Sequence, residues 1–185
     1  MENKSSNKVI VYGGGVIGNL ASLCLKRNGI DVFLIKSDLN SPIDRTYALS
    51  PGSVGWMKSI GLREDFFNSL YPIENIEIVR DGSNTIFSAD SVFKPALAYM
   101  VSEKKLMKEI KLKLASEEIK ILSEPNKIIL DNSPNQISIK LEKESLHASL
   151  LIACDGANSK IKEHLDIRKK IKNFNQNAIV FNFET

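Results

Sequence analysis

Three glycines at fixed spacing, Gly13, Gly15 and Gly18, form a Gly-x-Gly-x-x-Gly pattern, the arrangement in this sequence best suited to holding a phosphate group. In such a loop the first glycine permits a tight turn, the second lets the backbone approach a pyrophosphate, and the third lets a helix pack closely on a strand. The helix that follows, opening with Val16 and Ile17, presents free N–H groups and a partial positive charge to an anion. A dinucleotide site is the chemistry implied; a purely structural turn is the competing reading.

Three other positions bear on that chemistry. Lys36, 18 residues after Gly18, stands where an Asp or Glu usually accepts from a ribose hydroxyl pair. Lysine donates and cannot accept, so that contact is lost. Either Lys36 faces the 2′-phosphate of an NADP-type cofactor, or Lys36 or Ser37 donates to the ribose of a different dinucleotide, or Lys36 is a solvated strand-end lysine. Arg45 offers a planar, always-charged fork for phosphate or ribose, against the alternative of an ordinary surface arginine. Asp155-Gly156 follows an apolar strand, at the edge where ligands of open α/β sheets collect, with Gly156 allowing close backbone approach. A plain turn is its alternative.

The elements that must position these residues follow from the periodicity. Val9–Tyr12 is a short β-branched run that predicts a buried strand. From Val16, apolar residues Ile17, Leu20, Ala21, Cys24 and Leu25 recur at helical spacing until Asn28-Gly29 stops them. Asp31–Lys36 is the second strand of a β-α-β unit, which implies a parallel sheet. Ser50-Pro51 opens a helix expected to run through Trp56 and Ile60 and end at Gly61. Two strands joined through Asp81-Gly82 are expected within residues 73–88. Ser102 caps a helix with Leu106, Ile110 and Leu114 on one face. Strands are then expected around Ile119–Leu122, Lys127–Asp131 and Gln136–Leu141, one along Leu146–Cys154, and a last one over Asn177–Glu184.

Composition bounds the possibilities. The chain has 185 residues, 43% hydrophobic and 25% charged, as in an ordinary globular protein. Lys plus Arg number 25 against 22 for Asp plus Glu, a net charge of +3, too balanced to indicate nucleic acid. Abundant Lys, Asn and Ile fit an AT-rich bacterial genome. Cys24 and Cys154 lack metal-ligand or disulfide spacing and fit a reducing cytoplasm; no metal site is expected. The uncharged run Val9–Leu25 contains four glycines and an asparagine, so strand, turn and helix explain it better than a membrane span. The basic stretch from Lys160 to Lys172 could attract an NADPH phosphate or an anionic membrane surface, or form a solvated helix face.

Three segments carry a family resemblance. Asp44-Arg45-Thr46-Tyr47-Ala48-Leu49-Ser50, followed by Ser53, Trp56, Ile60, Gly61 and Leu62, resembles the D-x-R-x-x-A-L-S…L-G-L stretch of flavin-dependent aromatic-ring monooxygenases, most closely the ubiquinone-biosynthesis hydroxylases. Tyr99-Met100-Val101 resembles that branch's helix-start segment, with Ser102 where Glu is common. Cys154-Asp155-Gly156-Ala157-Asn158-Ser159 resembles its A-D-G-x-x-S motif, with Ile161 and Lys162 replacing the terminal Val and Arg.

The resemblance implies an α/β chain: a Rossmann-like FAD/NAD(P)-binding three-layer fold with a parallel central sheet, plus the truncated start of a β-sheet substrate domain. The FAD-binding part is expected over residues 1–72 and 98–165, with an excursion at 73–97 and the substrate sheet beginning at 166–185. FAD is the implied cofactor, NAD(P)H the reductant, and a small aromatic molecule, most naturally a polyprenyl phenol of ubiquinone biosynthesis, the substrate. Arg45 would contact FAD, and Asp155 would hold its pyrophosphate region and influence NAD(P)H binding. A soluble aromatic acid as substrate, an NADP-dependent reductase, and a binding module without turnover remain alternatives.

The family's third cofactor motif, a Gly-Asp-Ala-Ala-His-like segment, does not occur in these residues. The chain is therefore expected to be the N-terminal part of a longer protein. On its own it should lack hydroxylase activity and any catalytic residue, and be completed by a C-terminal polypeptide or other ubiquinone-biosynthesis proteins. A cytoplasmic location is expected, with peripheral association at the inner face of the membrane.

Overall fold

The computed structural model describes residues 8–37, 44–133, 136–142, 144–168, 170–177 and 179. β1 (Lys8–Tyr12), α1 (Val16–Arg27) and β2 (Asp31–Lys36) form the β-α-β unit that the periodicity predicts. β3 (Thr46–Leu49) leads into α2 (Pro51–Ser59), where the Ser50 hydroxyl accepts from the Ser53 N–H at 3.1 Å. The helix stops at Ile60-Gly61, as expected. Its buried face is Val54 and Met57, while Trp56 is partly exposed. After α3 (Glu64–Asn68) come β4 (Tyr71–Ile73) and the hairpin β5 (Asn75–Arg80) and β6 (Ser83–Ser88), turning at Asp81-Gly82.

β7 (Ala98–Ser102) runs into α4 (Glu103–Ala115), whose first turn is capped by the Ser102 hydroxyl and whose buried face includes Leu106, Ile110 and Leu114. Then follow β8 (Lys120–Ser123), β9 (Leu130–Ser133), β10 (Gln136–Lys140), β11 (Ser145–Ala148), β12 (Leu150–Ala153) and the short α5 (Lys160–His164).

These elements stack in three layers. The central sheet has the order β12-β1-β2-β8, with every pairing parallel. Because side chains alternate along a strand, Val9, Val11, Val32 and Leu34 face one side, packing with Leu20 and Leu23 of α1 and Leu106 and Ile110 of α4. Ile10, Tyr12 and Ile35 face the other, where Ile137, Ile139 and Leu146 of the antiparallel sheet β11-β10-β9 meet them, together with Ile161 of α5. A third sheet, β3-β7-β4, brings residues 46–49 beside the start of α4.

Several expectations need correction. The apolar run 146–154 is two strands in two different sheets, not one. The chain changes partner at Ser149, whose N–H donates to the Lys8 carbonyl at 3.0 Å and so passes the strand from β10 to β1. The strand expected over Lys127–Asp131 begins only at Leu130. Among its described residues the basic stretch is helical only over Lys160–His164, so most of it is not a helix face. Of the strand expected over Asn177–Glu184, residues 177 and 179 are described and are not in a strand; the remainder lies outside the described residues. Among the described residues no helix is long and apolar enough to cross a membrane.

Candidate functional site

At the C-terminal edge of the parallel sheet the chain leaves β1 through Gly13, whose φ of +126° lies in the region that side chains disfavour. Its N–H donates to the Ile35 carbonyl at 2.8 Å. A Cβ at Gly13 would collide with the Cys154 carbonyl, and one at Gly18 with the Gly13 carbonyl. These two glycines let α1 and the end of β12 close on the loop. Gly15 differs: among the described residues, a Cβ there would meet nothing within 4 Å.

Asn19, 2% exposed, holds the loop's shape through its Nδ2, which donates to the carbonyls of Gly14 at 2.6 Å and Gly15 at 2.8 Å. The first turn of α1 contains no acidic residue, and Gly15 brings no side-chain cap. The first helical bond here runs from the Asn19 N–H to the Gly15 carbonyl, so the amides of Val16, Ile17 and Gly18 precede the intrahelical ladder.

The loop floors an open cleft of about 1200 Å³. Its strand-tip wall is Ile35, Lys36, Ser37 and Glu124. Lys104, Met107, Lys108 and Lys111 of α4 form another wall, and Asp155 and Lys160 close the end. The stem of Lys36 packs beside Gly14. With four lysines on two walls, the cleft favours an anionic ligand.

Side chains at the strand tips are tied together. The Tyr12 hydroxyl donates to Glu124 Oε1 at 3.0 Å, and Lys160 Nζ donates to the same oxygen at 2.8 Å. Burial, and then the Glu124 carboxylate, push the Tyr12 phenol far above its ordinary value. The same carboxylate raises the Lys160 ammonium. Burial raises the Cys154 thiol, with neighbouring Asp155 adding to it. Asp155 Oδ2 accepts from the Ile161 N–H at 3.2 Å, while among the described residues the buried Asp155 Oδ1 meets no hydrogen-bond partner, nor does the buried Glu103 Oε2. Buried acceptors of this kind call for donors.

Of the residues singled out in the sequence, Gly13, Gly15, Lys36, Ser37 and Asp155 line the cleft. Val16, Ile17, Gly18, Arg45 and Gly156 are not part of its lining. Gly18 is packed beneath the loop, and Val16 and Ile17 contribute the opening of the helix. Arg45 is exposed and one step removed from the cleft: its carbonyl accepts from the Glu103 N–H at 2.6 Å. Beside it, burial and the Glu103 carboxylate raise the Tyr47 phenol, and Arg45 opposes them.

Sequence reasoning missed Tyr12, Asn19, Glu103, Glu124 and the α4 lysines. Asn19 left a signal, a polar residue on the buried face of a helix beside Leu20 and Leu23. Lys104, Lys108 and Lys111 left another, at helical spacing along one side of α4.

The loop amides and helix terminus suit a pyrophosphate, and the unpartnered carboxylate oxygens suit hydroxyl donors. A dinucleotide such as FAD therefore fits the residues present. Comparison with known proteins agrees. The FAD binding domain family matches residues 6–184. The chain belongs to that family. It is 25% identical over 186 residues to the ubiquinone hydroxylase UbiL of Rhodospirillum rubrum, covering 95% of this chain and 43% of the relative. It is 26% identical over 168 residues to the 3-demethoxyubiquinol 3-hydroxylase of Escherichia coli, covering 84% and 43%. The resemblance to the ubiquinone hydroxylase branch of flavin-dependent monooxygenases is thus borne out.

Among solved structures, Pseudomonas aeruginosa PqsL in complex with 2-aminobenzoylacetate aligns with a TM-score of 0.74 at 20% identity, over 90% of this chain and 48% of that one. Klebsiella pneumoniae HpxO complexed with FAD and uric acid aligns with a TM-score of 0.64 at 22% identity, over 89% and 42%. These likenesses support the Rossmann-like α/β fold. The chain spans less than half the length of the curated relatives described here.

Proposed function

We propose that this chain holds FAD by its ADP half and forms the cofactor-binding part of a monooxygenase that hydroxylates an aromatic ring, with a polyprenyl phenol of ubiquinone biosynthesis as substrate and NAD(P)H as reductant. The observation that carries this reading is the open face of Gly15 at an uncapped helix N-terminus, between walls of lysine. The amides of Gly15, Val16 and Ile17 would bind the pyrophosphate, and Asp155 would accept from a hydroxyl near it through Oδ1. Asn19 keeps the loop in that shape. Bound flavin, once reduced, supplies the oxygen activation that protein side chains cannot.

The ubiquinone substrate class is supported by the two named hydroxylases, which share this part of the chain. We further propose that turnover requires residues beyond these 185, supplied by a longer chain or a second polypeptide. Arg45 and Gly156 are retained as contributors to the cofactor's surroundings. The test is a titration of the purified chain with FAD, followed by flavin fluorescence. Saturable binding at micromolar or weaker affinity is expected, with no substrate-stimulated NAD(P)H oxidation. Absence of any flavin binding contradicts the cofactor assignment; sustained, phenol-stimulated oxidation contradicts the requirement for further residues.

A further inference from the structure

The position that normally supplies an acceptor to ribose, the tip of β2, holds Lys36, which has none to give. The neighbouring strand offers one. β8 runs parallel to β2 with Ser123 opposite Lys36, and the next residue, Glu124, donates its N–H to the Lys36 carbonyl at 2.9 Å. Lys36 and Glu124 line the same cleft as Gly13 and Ser37.

The Glu124 carboxylate is fixed in place. Tyr12, itself 2% exposed, and Lys160 both donate to Oε1, and the Glu124 side chain is only 18% exposed. Among the described residues the side-chain bonds to Glu124 fall on one oxygen, which leaves Oε2 with acceptor capacity. Lys160 offsets the carboxylate's charge, so an acceptor is available here without an uncompensated negative charge near bound phosphates.

We propose that Glu124, at the tip of β8, accepts the hydrogen bond from the adenosine ribose of the bound dinucleotide, taking over in space the role of the carboxylate missing at position 36. The inference rests on the FAD reading above and specifies how that site recognises ribose. The competing role for Glu124 is structural, a clamp joining β1, β8 and α5.

The test compares the Kd of FAD with those of FAD analogues carrying 2′-deoxy- or 3′-deoxyadenosine, by flavin fluorescence on the full chain. The wild type should prefer FAD over at least one analogue by about tenfold, the worth of a charge-assisted hydrogen bond at a partly exposed site. Glu124→Gln, which keeps an acceptor for Tyr12, should remove that preference by weakening FAD while leaving the analogue unchanged. Adding Lys36→Glu to Glu124→Gln should restore it. Glu124→Asp, which keeps the charge but draws the carboxylate back, should reduce the preference and serves if Glu124→Gln proves unfolded by its melting curve. Equal weakening of FAD and analogues, or an unchanged preference in these variants, overturns the proposal. FAD binding with no ribose preference in the wild type overturns it alone. Failure to bind either ligand overturns the FAD reading and this inference with it.

Discussion

The two ends of the cleft are built from different materials. The phosphate end is backbone: glycines, amides and a helix terminus, locked by Asn19 and packed against Cys154. The strand-tip end is side chain: Lys36, Glu124, Lys160 and Tyr12, drawn from residues as far apart as 12 and 160. A backbone site needs particular residues because only they leave room. A side-chain site needs only that some group of the right chemistry reach the right place, so its residues can migrate to a neighbouring strand. The first end should therefore fail through folding or steric exclusion, and the second through graded loss of contacts.

The largest effect tests the packing glycines. Gly13→Ala would combine an unfavourable φ with a clash against the Cys154 carbonyl, and Gly18→Ala would clash with the Gly13 carbonyl. Each should cost about 2–5 kcal/mol of stability, read from urea melts. Gly15→Val should separate binding from folding. The new side chain enters open space in an extended backbone, so the melt should shift by less than about 1 kcal/mol while FAD affinity falls at least about tenfold. A large loss of stability with unchanged flavin binding would reverse the roles assigned to Gly13 and Gly15.

Asn19→Ala comes next. It deletes two hydrogen bonds to the loop carbonyls and should cost about 1–3 kcal/mol, with a several-fold weaker Kd for FAD measured on the same samples.

A control away from both ends is Glu109, 3% exposed and bonded by the Arg63 backbone N–H and guanidinium. Arg63 holds its carboxyl below the ordinary value of 4.5, against the opposing effect of burial. A depressed folded value means that the ionised carboxylate stabilises the fold. That stability is fully present above pH 4.5 and is lost as the pH falls through the lower folded value. Glu109→Gln should therefore lower the melting temperature at pH 7, and the gap to wild type should shrink below pH 4.5. A gap independent of pH would remove the ion pair from the account.

The smallest effect is expected at Arg45. It is exposed and outside the cleft lining, so Arg45→Ala should change FAD affinity by less than about fivefold. A loss larger than that of Glu124→Gln would move the cofactor contact from β8 toward β3.

What could be read in advance divides along the same line. The β-α-β unit, the α2 and α4 caps and the Asp81-Gly82 hairpin were legible because their signals are local. Each is a periodicity, a capping serine or a turn pair within a few residues. The glycine loop was legible for the same reason. The pairing of β3 with β7 was not, because four-residue strands carry little pattern and their partners lie far along the chain. The change of sheet at Ser149 was hidden inside a continuous apolar run. Glu124 was invisible as a site residue because its meaning depends on which strand neighbours β2, and Tyr12 meets it across 112 positions of sequence.

The central claim is that the cleft recognises the ADP half of FAD, and competition with the two halves of the cofactor tests it most directly. With FAD bound to the chain, ADP should displace it in a saturable manner, while FMN at equal concentration should not. On the Gly15→Val variant, whose loop no longer admits the pyrophosphate, FAD and ADP should both bind at least about tenfold more weakly. Displacement by FMN and not by ADP would contradict the account, because the site would then be reading the flavin half rather than the pyrophosphate and adenosine that the loop and strand tips are built to hold.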